Sequence, residues 1–336
     1  MNILFTSHKF FPDVGGIEVN SEILAGYFHS CGHSVRVVTQ TAEISERQFD
    51  YLVFRRPSLF KLLELYRWAD IVYQNNIELG VLWPILFMRR PFVVSVRTWL
   101  RASNGKRRSV DLLKKWVLSR ANAVIAISEA IRRDSFRRAI VIGNPYRSSL
   151  FRIRTDINRQ NSVVFVGRLV SDKGADLLIS AFSKLRIKDT SLSLIGSGPE
   201  EASLHKAAED LGIQVKFTGA LVGDSLVREL NRHTILVVPS LWDEPFGNVA
   251  LEGMACGCAV LGSNGGGLVD AIGSAGLLFE RGNVLDLTYK LNELLCNPAL
   301  VTLLQAKAQI HLANHREEVV SKRYLDVLSQ VCTKCR

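Results

Sequence analysis

Short apolar segments alternate with helix-like segments along this chain, and the alternation starts twice. In the first half, strands are predicted near residues 2–7, 34–39, 51–55, 71–74, 92–96, 123–127 and 139–142. Helices are predicted between several of them, for example at 17–29 and 110–119. In the second half, strands are predicted near 162–166, 191–195, 215–218, 235–238 and 259–262. Because strands that alternate with helices form parallel sheets, the sequence predicts two α/β halves, and 336 residues suffice for two domains.

Two further segments stand out from the alternation of predicted strands and helices. Residues 153–161 are polar and break the alternation, so they are predicted to form the interdomain linker. Near the C-terminus, Tyr324, Val327, Leu328 and Val331 recur at helical spacing. This recurrence predicts a last helix over residues 315–331.

Four glycine-containing loops are predicted at the carboxyl ends of strands, where open α/β sheets bind their ligands. They comprise residues 11–18, 167–174, 194–200 and 263–267. A single loop of this kind is weak evidence for a binding site, because each is also compatible with a plain turn. Four loops on corresponding edges of two sheets favour a ligand site.

The segment of residues 239–257 carries two carboxylates, Glu244 and Glu252, on either side of a predicted helix start. The helix is expected to begin near Gly247 or Asn248. Its first N–H groups have no intrahelical partners and favour an anion. A ligand with a diphosphate at one end and hydroxyls on two sugars fits this layout. An ordinary βα loop with two solvated glutamates has the same spacing.

The net charge of +10 lies entirely in the first half. Residues 1–150 hold 22 Lys and Arg against 12 Asp and Glu, whereas residues 151–336 hold 20 of each. The basic residues stand beside bulky apolar ones, as in 59–63, 82–87 and 99–101. A basic surface attracts polyanions, and the apolar neighbours favour an anionic membrane surface over nucleic acid. A soluble cationic helix surface explains the same residues, and no nucleic-acid-binding signature accompanies them.

The sequence also bears on location. The N-terminus lacks the basic start and cleavage site of a signal peptide, and the longest apolar stretch, residues 79–88, is too short to cross a bilayer. The six cysteines are scattered, which suits a reducing compartment. A cytoplasmic protein that associates peripherally with the inner face of the cell membrane is therefore expected.

Taken together, these motifs resemble those of the GT-B glycosyltransferases, specifically family four, the retaining enzymes with a Glu-x7-Glu signature. The resemblance follows the chain in order. Its motifs are His8 to Pro12, Gly15-Gly16 with Glu18, Ser128-Glu129, Asn144-Pro145, Gly167-Arg168 with Lys173-Gly174, Gly196 to Pro199, Phe217 to Gly219, Pro239-Ser240, Glu244 with Glu252, Gly257 and Gly265-Gly266.

The resemblance implies two Rossmann-like domains that face a central cleft. Residues 1–155 would form the acceptor-binding domain, and residues 156–314 would form the domain that binds the nucleotide sugar. Residues 315–336 would contain a helix that crosses back to the N-terminal domain.

The resemblance also implies roles for individual residues. Arg168 and Lys173 would bind the diphosphate, whose charge grows as the glycosidic bond breaks, and Glu244 would hold a donor-sugar hydroxyl and stabilise positive charge near the anomeric carbon. Glu252 would accept hydrogen bonds from the ribose. The remaining donor-binding residues would be Gly15, Gly16, Gly196, Thr218, Phe246, Gly247, Asn248 and Val249.

The sequence departs from the family pattern at Arg97, which stands where many members carry a His that reaches the donor sugar. An arginine is no base near neutral pH, although it can orient a sugar or a phosphate. The acceptor side is therefore expected to involve Arg97, Asn75 and Glu18. No metal motif is found, and the resemblance implies neither a metal nor another cofactor.

The expected function is retaining transfer of a hexose from a nucleotide sugar to a glycan or polyprenyl-diphosphate-linked acceptor in bacterial exopolysaccharide or cell-surface polysaccharide synthesis. A UDP-sugar such as UDP-glucose or UDP-galactose is favoured. The resemblance places acceptor attack on the same face of the sugar as the leaving phosphate, which takes the acceptor proton. Two alternatives remain open: a GT-B epimerase or phosphorylase-like enzyme, and a catalytically weak scaffold that binds a nucleotide sugar.

Overall fold

The computed structural model describes residues 1–13, 15–42, 47–100, 109–187 and 189–334. The chain divides into two compact units. Unit 1 comprises Met1–Pro145 together with Glu317–Arg336, and unit 2 comprises Tyr146–Arg316. Each unit contains one parallel sheet flanked by helices, so the predicted α/β class is confirmed.

The sheet of unit 1 has seven parallel strands in the order β3-β2-β1-β4-β5-β6-β7. The strands are β1 (Asn2–Ser7), β2 (Ser34–Thr39), β3 (Leu52–Arg55), β4 (Ile71–Asn75), β5 (Phe92–Val96), β6 (Ala123–Ala126) and β7 (Ile140–Val141). Every residue of β4 and of β5 is buried, as expected for central strands covered on both faces. The strand order reverses between β1 and β4, which is where an open α/β sheet forms its ligand crevice.

Within its described residues, unit 1 has five α-helices before the second unit begins. They are α1 (Gly16–Ser30), α2 (Leu59–Trp68), α3 (Leu79–Leu82), α4 (Ser109–Arg120) and α5 (Glu129–Ser135), and a 3₁₀ helix, Trp83–Leu86, follows α3. The predicted helices 17–29 and 110–119 correspond to α1 and α4. The side chains of Ser58 and Ser128 cap α2 and α5 by accepting a hydrogen bond from an amide of the first turn.

The sheet of unit 2 has six parallel strands in the order β10-β9-β8-β11-β12-β13. The strands are β8 (Gln160–Val166), β9 (Leu192–Ile195), β10 (Val215–Phe217), β11 (His233–Val238), β12 (Ala259–Ser263) and β13 (Gly276–Phe279). The strand order reverses between β8 and β11. The loops that follow these two strands therefore border the expected crevice of this unit.

The helices of unit 2 are α6 (Ala175–Ser183), α7 (Glu201–Asp210), α8 (Gly223–Arg232), α9 (Asn248–Ala255), α10 (Leu268–Ile272), α11 (Val284–Cys296) and α12 (Pro298–Ala313), with a 3₁₀ helix at Ser171–Lys173. Asn283 and Asn297 cap α11 and α12, and Pro298 occupies the first turn of α12. Helices α6, α7, α11 and α12 pack their apolar faces on the sheet in one core.

The C-terminal helix α13 (Glu317–Lys334) belongs to unit 1. Its buried residues, among them Val320, Tyr324 and Leu328, join the core that includes strands β1, β4 and β5. The boundaries differ from the predicted ones, since the structure divides the chain after Pro145 rather than after residue 155. The predicted linker lies inside unit 2, where the Arg154 amide donates to Asn231 Oδ1 at 2.7 Å.

The described residues also bear on the sequence-based expectations about location. In the described ranges, no helix is both long enough and apolar enough to cross a membrane. Cys31, Cys256, Cys258, Cys296 and Cys332 are free thiols. Of the basic residues in the first half, Arg101 and residues 106–108 lie outside the described part of the chain.

Candidate active site

The loops at the carboxyl ends of β8 and β11 are joined by backbone hydrogen bonds at the strand-order reversal of unit 2. The carbonyl oxygen of Asp172, in the loop after β8, accepts from the amides of Leu241 (2.9 Å) and Trp242 (3.1 Å), in the loop after β11. The amide of Gly267, after β12, donates to the carbonyl oxygen of Glu244 at 2.7 Å. Three neighbouring loops are thereby fixed against one another at this edge of the sheet.

An ion pair joins the first two of these loops. Lys173 Nζ lies 2.5 Å from Glu244 Oε1, and Ser240 Oγ donates to the same oxygen at 2.7 Å. The side chains of Lys173 and Glu244 are 19% and 15% exposed, respectively. The pair is therefore screened less than a surface pair and still open to a ligand. The structure thus brings together two of the three predicted catalytic residues, in unit 2.

Two glycines allow these loops to approach so closely. Gly174 has φ 69°, and a Cβ atom at this position would lie 2.1 Å from the carbonyl oxygen of Pro239. Gly266 has φ 57°, and a Cβ atom there would lie 2.5 Å from the carbonyl oxygen of Glu244. Any other residue would be strained by its backbone and would push the loops apart. Gly174 and Gly266 are therefore required for the close approach of these loops.

Helix α9 begins at the same edge of the sheet. Its N-cap, Gly247, has φ 106°, and among the described residues no side chain caps this helix start. Gly247, Asn248 and Val249 are partly buried, whereas Phe246 is 2% exposed with its ring 5.7 Å from that of His315. The amides of the first turn carry the partial positive charge of the helix dipole, so an anion is favoured here. Phe246 therefore packs inside unit 2, while its backbone lies at the edge.

Glu252 lies one turn inside α9 and is partly buried. Burial raises the pKa of its carboxyl to about 7, and the positive charge of Arg147 opposes this shift. A substantial fraction of Glu252 is therefore protonated at neutral pH. Hydroxyl groups that donate to the carboxylate would favour its ionised form, so a bound ligand with hydroxyls is coupled to the charge of this residue.

The other predicted donor-binding residues of unit 2 lie in the loops after β8, β9 and β10. Arg168 is exposed in the loop after β8. The Gly196 amide donates to the carbonyl oxygen of Gly219 at 2.9 Å, and the Thr218 hydroxyl donates to the same carbonyl at 2.9 Å. Gly196 and Thr218 therefore hold the loop geometry, and Arg168 has a side chain exposed to ligands.

In unit 1, the predicted Gly15-Gly16 loop forms the N-terminus of α1. Gly15 is its N-cap, and the carboxylate of Glu18 lies so close that a Cβ atom on Gly15 would be 2.6 Å from Glu18 Oε2. Glu18 is 7% exposed and supplies a negative charge to the first turn of the helix. The structure therefore places Glu18 at the helix start of unit 1, and its predicted contact with the acceptor stays a prediction.

Arg97, the departure from the family pattern, lies in the interior of unit 1 and is 3% exposed. Its guanidinium donates to Asn75 Oδ1, to Asn144 Oδ1 at 2.8 Å and to Tyr324 OH at 3.4 Å. Asn75 is the last residue of β4, Asn144 lies just before the unit boundary, and Tyr324 belongs to α13. The structure therefore shows Arg97 as a buried link between distant segments of unit 1, and its predicted contact with a sugar or phosphate stays a prediction.

Asn75 extends this buried network, and its predicted place on the acceptor side stays a prediction. It is fully buried, and its Nδ2 donates to Ser21 Oγ at 2.6 Å. The Ser21 hydroxyl lies 2.9 Å from that of Ser7 at the end of β1. A continuous polar chain thus runs from β1 through α1 and β4 to Arg97. Sequence reasoning identified Asn75 and Arg97 as polar strand-end residues but did not show that they point inward.

A different set of polar residues is exposed at the carboxyl edge of unit 1. His8, in the loop after β1, lies with Nδ1 2.8 Å from Oε1 of Glu78, which follows β4. Together with Lys9, Asp13 and Arg56, these two residues line a surface groove. Arg56 adopts φ 45°, a strained backbone conformation of the kind that concentrates at functional sites. The sequence signal for this set was the position of His8 and Lys9 directly after the first strand.

Comparisons with known proteins identify the family that this chain resembles. A family model described as glycosyl transferases group 1 matches residues 149–311, and one described as Glycosyltransferase Family 4 matches residues 14–142. An uncharacterized glycosyltransferase of Methanocaldococcus jannaschii is 32% identical over 197 residues, or 55% of this chain and 53% of the relative. The gpi3 subunit of phosphatidylinositol N-acetylglucosaminyltransferase from Schizosaccharomyces pombe is 26% identical over 334 residues, or 86% of this chain and 72% of the relative.

Solved structures agree on the fold. The crystal structure of HepE from Anabaena in complex with UDP matches with a TM-score of 0.85 at 21% identity, covering 98% of this chain and 100% of that one. The fold is therefore that of the GT-B glycosyltransferases. The two family models together match most of the chain, which confirms the resemblance to the glycosyltransferases of family 4 noted in the sequence. The chain spans about half the length of the M. jannaschii relative, 53%.

Proposed function

We propose that this protein is a retaining glycosyltransferase that moves a hexose from a UDP-sugar to a glycan or lipid-linked acceptor during bacterial exopolysaccharide or cell-surface polysaccharide synthesis. The observation that carries the proposal is the Lys173–Glu244 ion pair beside the start of α9, at the strand-order reversal of unit 2. A cation, the start of a helix and two carboxylates on one edge match a diphosphate flanked by two sugars.

The proposed mechanism assigns each group a step. Lys173 and Arg168 bind the diphosphate and stabilise the negative charge that grows as the bond between the anomeric carbon and the phosphate oxygen breaks. The acceptor oxygen bonds to the anomeric carbon on the face that the phosphate leaves. Its proton goes to the departing phosphate oxygen, so no protein base is needed and the configuration is retained.

The two carboxylates position the donor. Glu244 accepts a hydrogen bond from a hexose hydroxyl and places negative charge near the anomeric carbon as it becomes positive. Its present bond to Lys173 holds the side chain in place before the donor arrives. Glu252 accepts hydrogen bonds from the ribose, and this contact draws its carboxyl into the ionised state.

Relatives support the substrate classes. UDP is the ligand named for the Anabaena HepE structure, and the S. pombe relative is named for a phosphatidylinositol acceptor. A UDP-sugar donor and a lipid-linked acceptor, such as a polyprenyl-diphosphate glycan, are therefore the proposed pair. We assign the acceptor to the edge of unit 1 that carries His8 and Glu78, because His8 is exposed and Glu78 is only partly buried, whereas Arg97 and Asn75 are buried.

Two further parts of the proposal concern the metal requirement of the reaction and the location of the protein in the cell. We propose that transfer needs no divalent metal, since Lys173 and Arg168 supply the positive charge at the diphosphate. We also propose a cytoplasmic protein that associates with the inner face of the cell membrane. The support is the basic first half with its exposed apolar residues, among them Phe60, Phe87 and Leu112.

A thermal-shift screen of UDP-, GDP- and ADP-hexoses tests the donor. A ligand at a hundred times its dissociation constant adds about 2.7 kcal/mol of apparent stability, which a melting curve resolves. We expect a shift with a UDP-hexose that Lys173→Ala abolishes, and NMR of the product should show a retained anomeric configuration in the presence of EDTA. No shift with any nucleotide sugar at millimolar concentration would refute the proposal.

The alternatives give different results in the same experiment. An epimerase or phosphorylase-like enzyme would release sugar, epimer or sugar phosphate without a carbohydrate acceptor. A scaffold would bind the nucleotide sugar with no turnover in the presence of any acceptor.

A further inference from the structure

A surface groove of unit 1 is lined by apolar side chains and lies apart from the edge described above. One wall is the 3₁₀ helix with Trp83 and Leu86, the opposite wall is α4, and Phe92 of β5 also lines it. Helix α4 contributes Leu113, Trp116 and Val117, which share one helix face because they are three and four residues apart. The cavity volume is about 330 Å³.

These apolar walls are open to solvent. Leu86, Leu113 and Trp116 are 59%, 48% and 43% exposed, and Phe87 beside the groove is 79% exposed. Isolated apolar residues on a surface need no explanation, but a contiguous set that lines a groove marks an interaction site. Burying this set would gain about 25 cal/mol for each Å² removed from water.

A basic side chain also lines the groove. Arg120 lies there with its guanidinium 4.9 Å from the centre of the Trp116 ring. Lys114, Lys115 and Arg89 add positive charge to the neighbouring segments of the chain. An apolar channel with a basic side chain is complementary to an amphiphile that has a hydrocarbon chain and an anionic head. Tryptophan and basic residues together are also the composition of surfaces that lie at a membrane interface.

We propose that this groove binds one hydrocarbon chain of an anionic membrane lipid, with the lipid phosphate held by Arg120. The chain packs between Trp83 and Trp116, so the protein engages the bilayer by insertion as well as by charge. This inference deepens the membrane association proposed above, and it does not depend on glycosyl transfer.

Vesicle binding with chain-labelled lipid tests the inference. The full chain is mixed with phosphatidylcholine vesicles that contain phosphatidylglycerol brominated along its acyl chains, since bromine quenches tryptophan fluorescence on contact. The protein has five tryptophans, so Trp83→Phe and Trp116→Phe variants assign the signal, with Trp242→Phe of unit 2 as the control. We expect quenching to fall at least twofold in each groove variant and to stay unchanged in the control.

Two substitutions separate insertion from charge. Leu113→Gln keeps the net charge and should weaken vesicle binding at least fivefold, whereas Leu285→Gln, at a leucine of unit 2 that is 72% exposed, should leave it unchanged. Arg120→Gln should weaken binding at low salt only. Nucleotide-sugar binding should be equal in all three variants, so failure here is distinguishable from failure of the proposed function.

Two results would overturn the proposal. One is binding to anionic vesicles that 0.5 M salt, about three times physiological ionic strength, removes completely without any bromine quenching. This result would show adsorption by charge alone. The other is a concentration-dependent dimer in sedimentation experiments that Leu113→Gln abolishes, which would show that a second copy of the chain covers the groove.

Discussion

The two sheets share a strand order but use the polar residues at their carboxyl edges differently. In each, the strand order reverses beside the first strand, between β1 and β4 in unit 1 and between β8 and β11 in unit 2. In unit 2, Lys173 and Glu244 meet at the edge and are 19% and 15% exposed. In unit 1, Arg97 is 3% exposed and bonds inward to Asn144 and Tyr324. Topology locates the edge, and the neighbouring elements decide whether its polar groups face a ligand.

The physical cause lies in what covers each edge. In unit 2, Gly174 and Gly266 let three loops close on one another through backbone contacts. The loop side chains are then left at the rim. In unit 1, α13 places Tyr324 against the ends of the central strands, so a long side chain at the end of β5 finds partners in the interior.

The most severe test of this contrast is Lys173→Ala. The substitution removes a fixed cation that stabilises the leaving diphosphate. We therefore expect kcat/KM for the nucleotide sugar to fall by about 10²–10³-fold, which corresponds to a loss of about 3–4 kcal/mol of transition-state stabilisation. Lys184→Ala, at an exposed lysine of the same unit, should change it less than twofold. A Lys173→Ala enzyme within threefold of the wild type would mean that the edge of unit 2 is structural as well.

Glu252→Gln should have opposite effects on stability and on binding. The folded pKa of about 7 exceeds the ordinary value of 4.5, so the folded state holds a proton that the unfolded state releases, and stability falls as pH rises from about 4.5 to about 7. At pH 8 the glutamine variant should therefore gain stability, by at most about 3 kcal/mol. The gain should vanish near pH 4, where both states are protonated.

The same variant should bind the nucleotide sugar more weakly, because a neutral amide is a poorer acceptor for ribose hydroxyls. Denaturant melts at pH 4 and pH 8, and calorimetric titration with the donor, measure the two effects. A variant that is less stable than the wild type at pH 8 would show that Glu252 holds the fold of unit 2 together, as Arg97 does in unit 1.

Much of this architecture is readable from the sequence. The strand predictions at residues 2–7, 34–39 and 92–96 match the structure, because buried central strands consist of continuous apolar runs. Glycines after strands located the loops of unit 2, since close approach requires them. The start of α9 at Asn248 followed from the strand–loop–helix pattern.

Other features depend on contacts between residues distant in sequence, and no local pattern encodes them. Arg97 and Tyr324 meet only because α13 packs on unit 1. Arg154, in the segment predicted as the linker, bonds to Asp224 of α8 within unit 2, a contact that the polarity of the segment alone does not reveal. His8 and Glu78 form a pair through strand order, which places β1 beside β4.

Arg97→Met tests, in unit 1, the contrast between a buried structural network and a ligand-facing edge. The substitution keeps much of the volume but leaves the amide oxygens of Asn75 and Asn144 without this donor, so unfolding free energy should fall by about 1–3 kcal/mol. Affinity for the nucleotide sugar in the folded fraction should change less than twofold. Arg89→Met, at an exposed arginine, serves as the control in urea melts. A large loss of glycosyl-transfer activity at an unchanged free energy of unfolding would instead support the predicted contact between Arg97 and the substrate.

The smallest expected effect concerns the exposed pair of unit 1. His8 and Glu78 are 60% and 22% exposed, so their mutual attraction contributes at most about 1 kcal/mol to stability. If the pair holds an acceptor hydroxyl, Glu78→Gln should raise KM for the acceptor about two- to fivefold and leave KM for the donor unchanged. Glu64→Gln, which breaks the exposed Lys61–Glu64 pair of α2, is the matched control. Equal acceptor KM values in the two variants would mean that the acceptor is recognised elsewhere, and that this edge, although exposed, is no more a ligand site than the buried network beneath it.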